Sequence, residues 1–144
     1  MIREATLDDV NAITRLGIEA LSRDRPKQML ISRDKIRAMI ITIINEEKHF
    51  GWVAEEDGEV VAGVGALVHE MLFFERQQCS VVMYYCNKPG AGIALLRHLM
   101  KWAKSKSYIK MIEFTLERTG NERVKKLLGR LGLTESLPIL MHIK

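Results

Sequence analysis

The sequence predicts an α/β fold, a mixed sheet with helices packed on its faces, on three observations. Apolar residues recur at spacings of three and four in several separate stretches, which is the period of an amphipathic helix. Asp57-Gly58 divides two short apolar stretches in the manner of a hairpin turn. Residues 80–86 are a near-continuous apolar run leading into a glycine loop, a helical pattern and a further strand. A strand buried on both faces enters a β-α-β crossover in this way.

Each element has its own signal. Residues 2–5 suit a short strand, and Thr6 then opens a helix with Asp8 and Asp9 where the helix dipole favours acids. Val10, Ile13, Leu16, Gly17, Ala20 and Leu21 continue it, until residues 23–28, with Pro26, break the pattern. Ser32 caps a second helix whose face carries Ile36, Met39, Ile40, Ile43 and Ile44. Residues 50–54 and 59–68 make the hairpin, and Gly63 and Gly65 mark a bend or a close backbone approach. Residues 69–78 read as a loop or strand extension. After the loop 87–92, a helix over 93–106 buries Leu95, Leu96, Leu99, Trp102 and Ala103. Residues 111–116 form a strand with Ile112, Phe114 and Leu116 on one face. Thr119 and Glu122 make a capping box for a last helix that Gly132 ends. Residues 138–143 complete the sheet as a strand opened by Pro138. The predicted order is β-α-α-β-β-β-α-β-α-β, in one domain over residues 1–144.

Composition bounds the function. Of 144 residues 47% are apolar and 28% charged, which excludes a disordered tail, a collagen-like fibre or a repeat array. Lys and Arg number 22 against 18 Asp and Glu, a net +4 that suits anionic ligands without requiring nucleic acid. Two cysteines, Cys79 and Cys86, are too few for a disulfide framework. They fit reduced thiols in the cytoplasm. Glu4, Asp8 and Asp9 occupy the place of a signal peptide's basic start. The apolar stretch 38–44, broken by Thr42, is far short of the ~20 residues that span a bilayer. His49, His69, His98 and His142 show no metal-ligand spacing, so no metal is expected. The basic runs Lys101, Lys104, Lys106, Lys110 and Arg123, Lys125, Lys126, Arg130 lack interleaved aromatics and read as solvated helix faces rather than a nucleic-acid patch.

The segment 80–93 carries the chemistry. Backbone N–H groups of a loop entering a helix can form a concavity for phosphate oxygens, aided by the helix dipole. Gly90 and Gly92 leave room for a ligand and Lys88 adds charge at the rim. The alternative is a loop that only turns the chain. It is neither a Walker loop nor a dinucleotide fingerprint. Tyr84 and Tyr85 alternate faces, so one looks into a gap beside the strand and the other serves core or edge packing. Cys86 fits a structural thiol better than a nucleophile. Met71, Leu72, Phe73 and Phe74 need cover, from the core, a substrate-side role or a homodimer contact.

The chain resembles the GCN5-related N-acetyltransferase (GNAT) superfamily. The resemblance rests on the opening Ile2-Arg3-Glu4-Ala5-Thr6-Leu7-Asp8-Asp9-Val10 and the hairpin Asp57-Gly58-Glu59-Val60-Val61-Ala62-Gly63. Asn87-Lys88-Pro89-Gly90-Ala91-Gly92 followed by Leu95-Leu96 is similar to the family's Gln/Arg-x-x-Gly-x-Gly/Ala loop. The Trp102-Ala103 pair and Glu122-Arg123 are similar to small phage-encoded members. The resemblance implies acetyl-CoA held in a gap between splayed strands by Tyr85, Cys86, Asn87, Lys88, Gly90, Ala91, Gly92 and Ile93. It also implies acetyl transfer to a primary amine of a small molecule or a protein lysine by direct attack, with amides of 84–86 at the oxyanion. Tyr84 and Glu70 are the candidate catalytic residues, with His69, Glu75 and Glu113 as further bases. Two residues depart from the family. Asn87 stands in place of Gln or Arg, and Leu128 falls at the position of the tyrosine that protonates the leaving thiolate. The alternatives are a CoA-binding module without turnover and a basic nucleic-acid or assembly domain.

Overall fold

The computed structural model describes residues 1–116 and 122–144. Its elements run β1 (Ile2–Glu4), a 3-10 turn (Leu7–Asp9), α1 (Val10–Asp24), α2 (Arg33–Asn45), β2 (Phe50–Glu56), β3 (Glu59–Glu70), β4 (Gln77–Cys86), α3 (Ile93–Ser105), β5 (Ile109–Phe114) and α4 (Glu122–Arg130). The sheet order is β1-β2-β3-β4-β5. Pairing is antiparallel up to β4 and parallel between β4 and β5, across the α3 crossover.

Local chemistry explains the element ends. The Ser32 hydroxyl accepts from the Lys35 amide at 3.2 Å and starts α2 as predicted. Asp57 and Gly58 take φ of 51° and 78°, the pair of left-handed residues that matches a two-residue hairpin to the strand twist. The stretch 69–78 resolves into the end of β3, a loop over 71–76 and the start of β4. The last predicted strand needs correction. No residue of 133–144 pairs with the described sheet, and Leu137, Ile139, Leu140 and Met141 are exposed. Apolarity in 138–143 signals a tendency to bury, but a strand exists only by bonding to an edge, and Pro138 has no N–H to offer one. Thr119 of the predicted capping box lies outside the described residues.

The two faces of the sheet bury different helices. Ala62, Val64, Ala66 and Val68 of β3 join Phe50, Leu95, Leu96, Leu99 and Leu128 in one core. The opposite face packs Val53, Met83 and Tyr85 against α1 and α2. The predicted close approach at Gly65 is found. A Cβ there, or at Gly51, would sit 2.9 Å from the Ile43 side chain of α2.

Arg3 ties the opening of the chain to the sheet. Its guanidinium donates to both Asp9 carboxylate oxygens, at 2.8 and 3.0 Å, and to Glu55 at 2.8 Å. Those bonds hold the buried Asp9 carboxyl below the usual carboxylate range against the opposing effect of burial, and the Thr6 amide adds to them. A depressed folded value means that the stabilisation is present above the unfolded value of about 4 and is lost as pH falls through the folded one. Asp9→Asn should therefore lose about 1.5–3 kcal/mol at pH 7. Urea unfolding followed from pH 7 downward should show the gap to wild type closing in acid.

Candidate functional site

A single extra residue opens the sheet. Gly65 of β3 pairs with Met83 and Ala66 with Val81, so Val82 is a bulge without a register partner. The parallel pairing of β4 with β5 ends at Val81 opposite Phe114, while β4 runs on to Cys86. Bulges bend and twist a strand, and here the two strands part from that point. The gap is a cleft of about 1140 Å³. Residues 80–86 form its floor, Phe114 to Leu116 one wall, and Leu21 of α1 with Val124 and Leu127 of α4 the rest.

The loop after β4 stands at the open end. Some of its amides are committed: Asn87 N–H donates to Val61 O at 3.0 Å, Ala91 to Lys88 O at 3.1 Å, and Ile93 to Gly90 O at 3.3 Å. The amides of Lys88, Gly90 and Gly92 donate to no carbonyl among the described residues. Gly90 borders the cleft and takes φ of 81°, and Gly92 is the N-cap of α3. The loop thus presents donors and a helix N-terminus together, the combination that binds anions.

Side chains fall on both sides of this frame. The Tyr84 ring meets Phe114 edge-on with centroids 5.9 Å apart. Its hydroxyl lies 2.2 Å from where a Cβ on Gly92 would be. Tyr84 therefore spans from the loop to the far wall, at the open end. Tyr85 is buried, with its ring against Gly17 of α1. Cys86 donates from Sγ to Lys88 O at 2.9 Å and pins strand to loop. Ile93 borders the cleft, whereas the side chains of Asn87 and Lys88 are exposed beside it, and Ala91 and Gly92 are not among its lining residues. The expectation that Lys88 charges the rim is corrected. Its ammonium is ion-paired with Glu56, which raises its pKa and draws it to the β2–β3 hairpin.

Other candidates separate clearly. Glu70 pairs with Gln77 at the far end of the β3–β4 ladder, outside the cleft. Leu72, Phe73 and Phe74 are exposed, not covered by the core. Leu128 is buried in the core, and Leu127 is the residue that faces the cleft. Ser80 and Glu113 border the closed end. There, Ser80 Oγ lies 2.9 Å from His69 Nε2, and Gln78 Nε2 donates to Ser80 Oγ at 2.9 Å and to Glu113 at 3.2 Å. Sequence reasoning named His69 and Glu113 singly but missed Ser80, whose only signal was a polar residue opening an apolar run. It also missed Arg23 and Arg97, and it read Arg123, Lys126 and Arg130 as solvated; all five border the cleft. Burial alone pushes the Cys79 thiol up to about 11, so it is inert. Among the described residues there is no group of three or more potential metal ligands, and no helix is long and apolar enough to cross a membrane.

The sequence model of the Acetyltransferase (GNAT) family matches residues 18–133, and the chain belongs to that family. No curated protein matches it. Three solved structures are similar. A predicted acetyltransferase with acetyl-CoA from Clostridium acetobutylicum is 16% identical with a TM-score of 0.77, covering 99% of this chain and 95% of its own. A GCN5-related N-acetyltransferase from Ralstonia eutropha JMP134 is 20% identical at 0.73, covering 99% and 97%. A possible acetyltransferase from Clostridium difficile 630 is 17% identical at 0.73, covering 100% and 96%.

The Tyr84–Gly92 contact is directly testable. Gly92→Ala should cost about 1–3 kcal/mol by overpacking. Tyr84→Ala in the same chain should remove most of that increment, read as a coupling energy from urea unfolding of the four proteins of the cycle.

Proposed function

We propose that the chain is an acetyl-CoA-dependent N-acetyltransferase that moves an acetyl group to a primary amine by direct attack. The observation that carries this reading is the parting of β4 from β5 at Val82, in line with the loop amides of Lys88, Gly90 and Gly92. An anionic co-substrate fits these residues. The loop and the start of α3 would take its diphosphate, and Arg97, one turn along α3, adds charge beside them. Bound acetyl-CoA supplies an acetyl thioester, already activated toward a nitrogen nucleophile.

The protein's part is then positioning. β4 beyond Val81 has no β5 partner, so its backbone can pair with an extended chain lying in the cleft. The amides around the Val82 bulge suit the developing oxyanion better than those of 84–86, because Tyr84 and Cys86 adjoin the loop, at the opposite end of the cleft from Ser80 and Glu113. Holding two reactants in register supplies most of what such a reaction needs. Tyr84 serves this reading as a wall of the cofactor channel. Two thiols with no disulfide between them support a cytoplasmic setting.

A second reading, a CoA-binding module without turnover, has one observation in its favour. The α4 residues that face the cleft are Arg123, Val124, Lys126, Leu127 and Arg130, and none is a phenol or carboxylic acid that could protonate a thiolate.

Titration calorimetry with acetyl-CoA, followed by thiol release against a panel of small polyamines and lysine peptides, decides between them. Binding with release supports the transferase, binding without release the module, and no binding at millimolar ligand removes both. Lys88→Ala should change acetyl-CoA affinity by less than about threefold, as for an exposed ion pair turned elsewhere. Gly90→Val, which puts a branched residue in the left-handed region, should weaken binding about tenfold, since such strain costs about 1–2 kcal/mol.

A further inference from the structure

We propose that Ser80 and His69 form a proton relay that takes the proton released by the acceptor amine; this rests on the transferase reading above. The hydrogen bonds dictate the direction. His69 Nδ1 lies 3.1 Å from the backbone carbonyl of Glu70. A carbonyl only accepts, so Nδ1 carries the ring proton. Nε2 is then a lone pair, 2.9 Å from Ser80 Oγ. Gln78 Nε2 donates into the same oxygen at 2.9 Å, which leaves the Ser80 hydroxyl hydrogen aimed at His69. A hydroxyl bonded to an imidazole whose other nitrogen is held by a carbonyl is an oriented nucleophile–base pair.

Its place fits a relay. Ser80 borders the closed end of the cleft, two residues before the Val82 bulge, while His69 stands beside it on β3, open to solvent. Glu113 is the acidic side chain at that end, and Gln78 ties it to Ser80 at 3.2 Å. A cationic amine entering there meets a carboxylate first and a proton acceptor beside it. The ammonium first loses one proton to solvent, which frees its lone pair; as this neutral nitrogen bonds to the acetyl carbon and the carbon–sulfur bond breaks, the sulfur leaves as thiolate with the electron pair. The nitrogen's surplus proton passes to Ser80 Oγ while the hydroxyl proton passes to His69 Nε2. Ser80 ends unchanged and His69 ends as imidazolium, its Nδ1–H still on Glu70 O. The groups facing His69 are the uncharged Ser80 and Gln78 of β4, with Glu113 of β5 beyond Gln78; its neighbour Glu70 contributes a carbonyl.

Two measurements test this. In the ligand-free protein, nitrogen–proton correlation of the His69 ring at neutral pH should show the Nδ1–H tautomer, and Ser80→Ala should shift the Nε2 resonance. The Nε2–H tautomer, or no response to Ser80→Ala, overturns the pair whatever the chain binds. In turnover, His69→Gln and Ser80→Ala should each lower kcat about 100-fold or more with KM for acetyl-CoA held within about twofold. The double variant should lose no more than either single, as for residues that act as a unit. The acid limb of the wild-type rate profile should flatten in His69→Gln, because a protonated imidazole cannot accept; the acceptor's own titration is common to both proteins. Variants within about threefold of wild-type kcat, or an unchanged acid limb, overturn the relay, as does a wild type that binds acetyl-CoA yet acetylates no amine. Absence of acetyl-CoA binding overturns the transferase reading instead.

Discussion

The extra residue at Val82 governs which layer each side chain of the second half of β4 faces. Side chains alternate along a strand, so one inserted residue inverts which of them faces which layer. Before the bulge, Cys79 and Val81 belong to the α3 core; after it, Met83 and Tyr85 belong to the α1 and α2 core. Without the insertion Tyr85 would turn toward α3 and Tyr84 toward α1. The same residue ends the pairing with β5 at Val81. Opening of the sheet and orientation of the two tyrosines are therefore one event in the backbone.

That event is tolerable because the layers on either side hold β4 firmly. Gly17 admits the Tyr85 ring, since a Cβ there would lie 2.7 Å from it. Gly51 and Gly65 let Ile43 of α2 approach the backbone of β2 and β3. On the other face Phe50 packs with its ring tilted against Trp102, 5.1 Å between centroids, among the fully buried leucines of α3. A bulged strand gives up ladder bonds at the point of insertion, and close packing on both faces offsets that loss.

Much of this was legible in the sequence, and the limits have physical causes. Helices showed through periodicity, the hairpin through Asp57-Gly58, and the buried strand through its apolar run. The close approach at Gly65 was readable because a glycine inside a strand has few other uses. The bulge was not, because Val82 is as apolar as its neighbours and pattern carries no register. Lys88 was misplaced because its partner, Glu56, is 32 positions away and adjacent only through the β2–β3 hairpin and the start of the loop. Leu128 and Leu127 are adjacent leucines, and only packing tells which one faces the core. The predicted strand 138–143 failed because composition reports a demand for burial and not the edge that would meet it. Ser80, His69, Gln78 and Glu113 come from three strands, and the register alone brings them together.

The charges round the cleft are not evenly spread. Arg23, Arg97, Arg123, Lys126 and Arg130 border it against Asp24 and Glu113. An excess of one sign in a low-dielectric cleft concentrates counter-charged ligands there, which suits a polyanionic co-substrate. A cationic acceptor gains nothing from such a field unless a local group reverses it. Glu113, fixed by Gln78 at the end where β4 and β5 meet, is placed to do so. On the proposed reading the order of affinity follows from electrostatics alone. The co-substrate's phosphates neutralise part of the basic wall, and an amine then approaches a cleft whose remaining field at the closed end is that of a carboxylate. Binding of the anion first thus lowers the electrostatic cost of binding the cation second, with no conformational change required.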